Sequence, residues 1–285
     1  QKRIAQEAQV EITVGMFLLL FALAFVCEFI DSSLGMGYGT IMSPLLIILG
    51  FEPLIVIPAI LLSQAFGGFT AAVFHHQFEN ASFKPGSRDL KIVMIISGFG
   101  FVATVAAALL ALHIPKVVLK TYIGVLVLVM GGILLSNRTF RFSWKKMIGV
   151  GILSAFNKGM TGGGFGPVVT SGQIIAGQKH KGAIAATTLA EAPICTVAFL
   201  TYMVGLVAKD TETPILSIRF CELAARMFSA DLFRWELVLA LILGSVFVAP
   251  FGAFTTRVIR TKRLTIILGV LVTILGLWTL WKTWM

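Results

Sequence analysis

Long apolar runs, separated by short polar loops, make up most of the chain. Six long runs lie at residues 54–74, 90–112, 117–135, 182–207, 235–256 and 264–281. A helix needs about 20 apolar residues to cross the hydrocarbon core of a bilayer, and each run is near or above that length. The pattern therefore predicts an all-α polytopic membrane protein.

Two glycine-rich turns interrupt the remaining apolar sequence, at Gly35–Gly39 and at Gly162–Gly166. The apolar runs on either side of them lie at residues 12–30, 40–49, 147–156 and 168–176. Glycine weakens a helix and Pro167 cannot continue one, so each pair of runs is predicted to be a helix broken at its turn. An unpaired backbone group in the bilayer core costs several kcal/mol, so a break at that depth indicates protein-lined surroundings or a built cavity.

The second half of the chain repeats the first. One set of matched pairs shares a constant difference in residue number, which we call the first offset. These pairs are Gly35 and Gly162, Gly37 and Gly164, Tyr38 and Phe165, Gly39 and Gly166, Gly50 and Gly177, and Gln64 and Glu191. At a larger offset, the matched pairs are Gly124 and Gly269, and Gly131 and Gly276. The increase in offset places an insertion at about 207–234, where interleaved apolar and charged residues suit an interfacial amphipathic helix. We expect a first transmembrane repeat at residues 1–137 and a second at residues 138–285.

Counting the crossings gives the two repeats opposite orientations. If each broken pair is re-entrant, entering and leaving on one side, each repeat adds three full transmembrane helices. Three is odd, so the second repeat is inverted, as in many secondary transporters. The lysines and arginines of the loops then divide thirteen to nine between the two sides. The positive-inside rule places both termini on the outer side.

The composition supports a membrane location and excludes several function classes. The chain is 57% hydrophobic and only 13% charged, whereas soluble proteins carry about 25% charged residues. We expect a multi-pass protein of a bacterial-type plasma (inner) membrane, with lipid around it. The net charge of +10 is spread in short clusters between apolar runs, not along a basic stripe, so nucleic-acid binding is excluded.

No pattern in the chain indicates a cofactor, a metal site or an enzyme. The three cysteines show no metal-ligand spacing, and two adjacent histidines, His75 and His76, are predicted to be interfacial. The glycine turns match neither a phosphate loop nor a dinucleotide fingerprint. No nucleophile and base occur in a known catalytic motif.

The short helices after the two glycine turns are the candidate anion-binding elements. They are expected to begin near Thr40 and Pro167. A helix N-terminus carries free N–H groups and about half a positive charge, and glycine lets an anion approach the backbone. Two such ends meeting near the midplane would form one site for a small anion. The alternative is that the glycines only allow close helix packing.

The predicted substrate-binding residues lie in and around the two turns. They are Gly35, Gly37, Tyr38, Gly39, Thr40, Ser43, Gln64, Asn157, Lys158, Thr161, Gly162, Gly163, Gly164, Phe165 and Gly166. A lysine at membrane depth is costly and usually functional, so Lys158 could neutralise a bound anion. The alternative is a structural pair with Asp31, its repeat counterpart. For most of the polar candidates the alternative is hydrogen bonding between helices.

Two carboxylates are candidates for proton coupling, Asp31 and Glu191, because a buried carboxylate can take up a proton. Glu191 could equally be a protonated acid that bonds to a neighbouring helix. Glu28 could face the outer interface, and we rank it below Asp31.

Four short motifs occur in a fixed order along nearly the whole chain. They are Gly35-Met36-Gly37-Tyr38-Gly39 with Ser43-Pro44-Leu45-Leu46 downstream, Gly50-Phe51-Glu52-Pro53, Gly162-Gly163-Gly164-Phe165-Gly166-Pro167, and Pro250-Phe251-Gly252-Ala253. Their order and spacing resemble the sulfite exporter TauE/SafE family of permeases. The first turn departs from the denser glycine cluster of that family, because Met36 and Tyr38 are interposed. The resemblance implies passive or proton-linked movement of small sulfur-containing anions, such as sulfite, sulfoacetate or other organosulfonates.

Together, the broken helices and the resemblance predict a secondary transporter that works by alternating access on a small anionic substrate. An anion channel on the same scaffold is the alternative. The sequence does not specify an oligomeric state.

Overall fold

The computed structural model describes residues 11–136, 144–175, 177–212, 225–226, 234–258 and 261–285, and within these ranges the regular structure is helical, with no strand. The helices are α1 (Val14–Leu34), α2 (Tyr38–Ile48), α3 (Pro53–Gln77), α4 (Arg88–His113), α5 (Lys116–Leu135), α6 (Trp144–Thr161), α7 (Gly166–Ile175), α8 (His180–Thr211), α9 (Trp235–Thr255) and α10 (Thr261–Trp284).

Seven of the described helices are long and apolar enough to cross a membrane: α1, α3, α4, α5, α8, α9 and the part of α10 from Leu264. Large apolar side chains such as Val102 on α4 and Phe247 on α9 point away from the protein, 78% and 63% exposed, as lipid-facing residues do. The prediction of a multi-pass, all-α integral membrane protein is therefore confirmed. Most of the proposed insertion at 207–234 lies outside the described residues.

The helix α1 is longer than the apolar run that predicted it. Its last turns include Asp31, Ser32 and Ser33, which the sequence placed in the break. These residues stay helical because their polar groups are satisfied: Ser32 donates to the Glu28 carbonyl at 2.6 Å, and Ser33 donates to the Gly252 carbonyl at 3.3 Å. In the same way α6 extends to Thr161, whose hydroxyl donates to the Asn157 carbonyl at 2.8 Å.

The two broken helices end with the same backbone geometry. Gly35 follows α1 with φ 70°, and Gly162 follows α6 with φ 74°. The Gly35 N–H donates to the Asp31 carbonyl at 2.6 Å, and the Gly162 N–H donates to the Lys158 carbonyl at 2.8 Å. A left-handed residue of this kind closes a helix, and glycine adopts it without a steric penalty.

The turns after the short helices correspond in the same way. Gly50 follows α2 and Gly177 follows α7, both with positive φ. Each donates its N–H to the carbonyl of the third residue before it at 3.0 Å, Ile47 in the first half and Ile174 in the second. Helices α3 and α8 then begin at positions matched by the first offset, and α5 and α10 begin at positions matched by the larger offset.

Contacts at small residues show the relative direction of neighbouring helices. On α9, Gly244 faces Phe21 and Ala24 of α1, and Gly252 faces Ser32 further along the same helix, so α1 and α9 are parallel. Contacts between α4 and α6 also advance in the same direction along both helices: Gly100 faces Ala155, and, further along both helices, Thr104 faces Gly159. Helices α4 and α6 are therefore parallel as well.

The long central helices α3 and α8 each run along one of these pairs. Ser245 of α9 donates to the Ser63 carbonyl of α3 at 3.1 Å, and Asn80, just after α3, donates to the Ala253 carbonyl at 2.8 Å. Helix α3 is therefore parallel to α9. Ser97 of α4 donates to the Ala190 carbonyl of α8 at 3.1 Å, and these two helices also contact each other near their starts. Helices α3 and α8 thus have equivalent neighbours.

Contacts between loops and helix ends fall into two groups, and each group joins segments that the crossing count assigns to one side. On the side predicted to be inner, Gln178 donates to Asp89 at 3.0 Å, and Arg257 donates to the Phe78 carbonyl. On the side predicted to be outer, the contacts are Lys116 with Glu52, Lys209 with the Leu112 carbonyl, and Lys282 with the Ile48 carbonyl. Each of these contacts joins segments that the sequence assigns to one side.

Candidate functional site

The two glycine turns touch each other backbone to backbone in the centre of the protein. A Cβ atom on Gly163 would lie 2.7 Å from the Gly39 carbonyl oxygen, and one on Gly39 would overlap the Gly162 carbonyl. A Cβ atom on Gly166 would overlap the Gly35 carbonyl in the same way. The packing interpretation therefore applies to Gly39, Gly163 and Gly166, and it leaves the anion-binding prediction for the turns untested.

Backbone N–H groups converge at this contact. The Tyr38 N–H donates to the Asp31 carboxylate at 3.1 Å, so a carboxylate of the protein itself lies at the N-terminus of α2. The Gly164 N–H donates to the Thr40 hydroxyl at 3.3 Å, which ties the second turn to the first helix. Among the described residues, the N–H groups of Gly39 and Thr40 have no hydrogen-bond partner.

A chain of four buried polar side chains crosses the site and joins α1, α3, α6 and α8. The Gln64 side-chain amide donates to Asp31 at 3.4 Å. Lys158 donates to the Gln64 side-chain oxygen and forms an ion pair with Glu191 at 2.7 Å. The side chain of Lys158 is 0% exposed and that of Glu191 is 5% exposed. A buried ammonium is tolerated only with such compensation.

The four residues of this polar row occupy positions that the internal repeat matches. Asp31 corresponds to Lys158 and Gln64 corresponds to Glu191, both at the first offset. The direct Lys158–Asp31 pair that we considered does not form, because Gln64 lies between the two residues. Lys158 pairs instead with the counterpart of Gln64. The two halves therefore contribute equivalent positions with different chemistry.

Further hydroxyl groups lie at the two glycine turns. Ser43 donates to the Thr161 carbonyl across the two turns, and the Thr161 hydroxyl also contacts the Gly163 N–H at 3.1 Å. Tyr38 and its repeat counterpart Phe165 are both fully buried. Gly37 is directed elsewhere: a Cβ atom there would face Ile30 at 3.1 Å and Leu268 at 3.7 Å, beside an apolar cavity of about 90 Å³ between α1 and α10.

Sequence reasoning missed several residues of the site. The Tyr122 hydroxyl on α5 donates to the Asn157 side chain at 2.6 Å, and the Tyr38 hydroxyl lies 2.7 Å from that of Ser63. Thr170 donates to the Gly35 carbonyl at 2.9 Å. An isolated hydroxyl inside an apolar run is the available signal, but it does not reveal which helix it faces.

One prediction about an ionisable residue was wrong, and one further ionisable residue near a helix end is buried in the protein. Glu28 does not face the outer interface: it is 0% exposed, and neither of its carboxylate oxygens has a hydrogen-bond partner among the described residues. His75 is also fully buried, where Asn80 contacts its ring at 3.0 Å. Helix α9 lies near both residues: Ser245 shares the contact at Gly67 with Glu28, and the Asn80 that contacts His75 also donates to the Ala253 carbonyl. Within the described residues, no group of three or more histidine, cysteine, aspartate or glutamate side chains could hold a metal ion.

Comparison with known proteins adds the family. The profile of the family described as Sulfite exporter TauE/SafE matches residues 20–279. The Bacillus subtilis (strain 168) protein described as "Probable membrane transporter protein YtnM" is 24% identical over 283 residues, covering 94% of this chain and 84% of that protein. No solved structure matches the chain.

Proposed function

Because the chain belongs to the sulfite exporter TauE/SafE family of membrane transporters, we propose that it moves a small sulfur-containing anion, sulfite or an organosulfonate, by alternating access. The observation that carries this proposal is the position of Lys158. This ammonium is fully buried one turn before the second glycine turn, and it bonds to residues of two central helices. A small oxyanion is the ligand that such a cation and the nearby N–H groups would bind together.

The ion pair gives a route for coupling anion movement to protons. With no substrate bound, the Glu191 carboxylate neutralises Lys158. An anion that replaces it at the ammonium leaves Glu191 buried without a counter-charge, and a carboxylate in that position takes up a proton. When the anion leaves, Glu191 returns its proton to water and pairs with Lys158 again.

Gln64 connects this exchange to the first half of the protein. Its side-chain oxygen accepts from Lys158, and its amide nitrogen donates to Asp31. Rotation of the amide group would let the nitrogen donate to an anion at Lys158, which breaks the bond to Asp31. Asp31 would then be free to exchange a proton, so both predicted proton-coupling residues respond to the same binding event.

Inverted repeats would supply the two conformations that alternating access needs. The antiparallel packing of α5 and α10 supports the inversion, since these helices are equivalent in the repeat: Gly131 faces Thr273 and, further along, Gly276 faces Leu128. The common direction of α1 and α3 supports a re-entrant first pair, because α2 must return the chain between them. Exchange of conformations between the halves would open the site first to one side and then to the other.

An anion channel on the same scaffold is the second candidate. A channel needs a continuous aqueous path, whereas Lys158, Thr161, Gln64 and Ser43 are all buried in this conformation. The closed site favours a carrier. Large single-channel sulfite currents across planar bilayers would favour the channel instead.

The experiment is exchange of radiolabelled sulfite in proteoliposomes. The wild-type protein should exchange internal for external sulfite, and Lys158→Gln should reduce the rate by about tenfold or more, since hydrogen bonds to a charged group contribute about 1.5–3 kcal/mol. The exposed Lys91→Gln on α4 is the matched control and should exchange normally.

A second variant separates function from folding. Lys158→Gln leaves Glu191 without its cation, so Lys158→Gln combined with Glu191→Gln restores a neutral buried pair. This double variant should fold like the wild type and still fail to exchange sulfite. Normal exchange by a folded variant without Lys158 would contradict the proposal.

A further inference from the structure

Not every buried ionisable group of the described core has a hydrogen-bond or ion-pair partner. Three carboxyl groups and one ammonium lie there: Glu28, Asp31, Glu191 and Lys158. Glu191 has Lys158, and Asp31 accepts from the Tyr38 N–H and the Gln64 amide at the N-terminus of α2. Glu28 has no such group, and neither of its oxygens accepts or donates a hydrogen bond among the described residues.

Glu28 lies in a separate contact, where α1 meets α3 and α9. The Cβ position of Gly67 on α3 is 3.1 Å from the Glu28 carboxyl carbon and 3.1 Å from the Ser245 hydroxyl oxygen on α9. The absence of a side chain at Gly67 is what leaves room for the carboxyl group. Ser245 is engaged elsewhere, donating to the Ser63 and Ile242 carbonyls.

A charge in this contact would have no compensation. An ionised carboxylate without a partner in a low-dielectric interior is so unfavourable that the group takes up a proton instead. A neutral apolar side chain would fit the same contact without any polar cost. An acid there is therefore expensive for the fold, and intramembrane acids of this kind are found on proton pathways.

The surroundings of Glu28 contain few groups that could hold its charge. The titratable groups near it are Cys27 and Asp31 on α1, Tyr38 on α2, Lys158 on α6, and Glu191 and Cys195 on α8. Helices α3 and α9 face it with Gly67 and Ser245, which do not titrate. Lys158 is the single cation in this set, and Glu191 already pairs with it.

We propose that Glu28 is a second proton-binding site of the transport cycle, which holds its proton in this conformation and releases it to water when α1 shifts against α3 and α9. The inference rests on the proposed function. Asp31 lies one helical turn from Glu28, so release of Asp31 from Gln64 moves the helix that carries both acids. The α1–α9 contact is built on Gly244 and Gly252, where the absence of side chains lets the two helices approach closely.

The test counts protons carried per anion. Proteoliposomes are given a pH difference with the membrane potential held at zero, and the final accumulation ratio of radiolabelled sulfite is measured. Each coupled proton raises this ratio about tenfold per pH unit. Glu28→Gln, which cannot release a proton, should still bind and exchange sulfite, but its slope should fall by about one proton per anion relative to the wild type.

Two further variants make the result specific. Glu52→Gln makes the same chemical change at an interfacial glutamate paired with Lys116, and it should keep the wild-type slope. Glu28→Asp retains a titratable acid and should keep the full slope. Sulfite protonates equally in all experiments, so a difference between slopes reports Glu28. An unchanged slope in Glu28→Gln overturns the proposal.

Infrared spectroscopy tests whether Glu28 is protonated and does not depend on a transport assay. The wild-type protein should show the carbonyl band of a protonated carboxylic acid, and Glu28→Asp should shift that band. No shift overturns the proposal, even if Glu28→Gln does not fold. If the wild type does not transport sulfite at all, the proposed function fails while this band still tests Glu28.

Discussion

Gly39 lies at the point where the two broken helices touch. Its α-hydrogens face the carbonyl of Gly162, and the chain around it is fully buried on all sides. Glycine here is fixed by the neighbouring backbone and not by its own dihedral angles, because positive φ occurs at Gly35 and Gly37 but not at Gly39. A substitution at Gly39 therefore tests whether the two turns are in contact.

We predict that Gly39→Ala destabilises the protein by about 1–3 kcal/mol or more, because the added methyl group overlaps a backbone that cannot move freely. Denaturant or thermal unfolding in detergent measures this. Gly98→Ala on α4 is the control, since a Cβ atom there meets nothing within 4 Å. A Gly39→Ala protein as stable as Gly98→Ala would place the turns apart.

Single residues also mark the limit of what the sequence could predict. Lys158, Glu191, Asp31 and Gln64 stood out because a polar side chain in a long apolar run is rare. The repeat suggested a direct pair of Lys158 with Asp31, whereas Lys158 pairs with Glu191. Glu28 stood in an equally apolar run and was assigned to the wrong environment. Burial there depends on α9, which lies in the other half of the chain, and no local pattern contains that information.

At the level of helices, the lengths of the apolar runs predicted which helices exist. Hydrogen bonds of polar side chains extend some of these helices beyond the apolar runs. The short helices were expected near Thr40 and Pro167 and begin at Tyr38 and Gly166. The extension of α1 through Asp31 was not expected, because serine and aspartate usually favour helix ends. Their partners are a carbonyl one turn back and groups on α2, α3 and α9, which only the folded protein provides.

The pairing of α5 with α10 gives a prediction that distinguishes two adjacent residues. A Cβ atom on Gly131 would overlap Thr273, whereas one on Gly132 meets nothing within 4 Å. Gly131→Leu should lower the free energy of unfolding by about 1–3 kcal/mol or more, and Gly132→Leu should change it by about 0.5 kcal/mol or less. Equal effects of the two substitutions in a detergent unfolding assay would contradict the antiparallel contact.

On the scale of the whole molecule, contacts between loops are consistent with the division into two sides that the sequence predicts. The sequence assigned the loops by counting crossings and positive charges. The structure brings together loops of the same predicted side, such as that after α3 with that after α9, and that before α3 with that before α5. Charge counting predicts the absolute orientation, which the packing of helices alone does not contain.

We predict that the loop before α4 faces the inside and the end of α4 faces the outside. In a background with Cys221→Ser, single cysteines at exposed Pro85 and His113 test this, since the native Cys27 and Cys195 are buried. A membrane-impermeant maleimide added to intact cells should label His113→Cys and not Pro85→Cys. The opposite pattern would reverse the orientation, and labelling of neither in permeabilised cells would show that the sites are covered.

Binding of sulfite at Lys158 is the central claim, and titration calorimetry of the purified protein tests it most directly. The wild type and Lys91→Gln should bind sulfite with equal affinity. Lys158→Gln combined with Glu191→Gln should keep the wild-type unfolding temperature and bind about tenfold or more weakly, because its neutral pair cannot replace a charge-assisted contact. Equal affinity in that double variant, or no sulfite binding by the wild-type protein, would contradict the account.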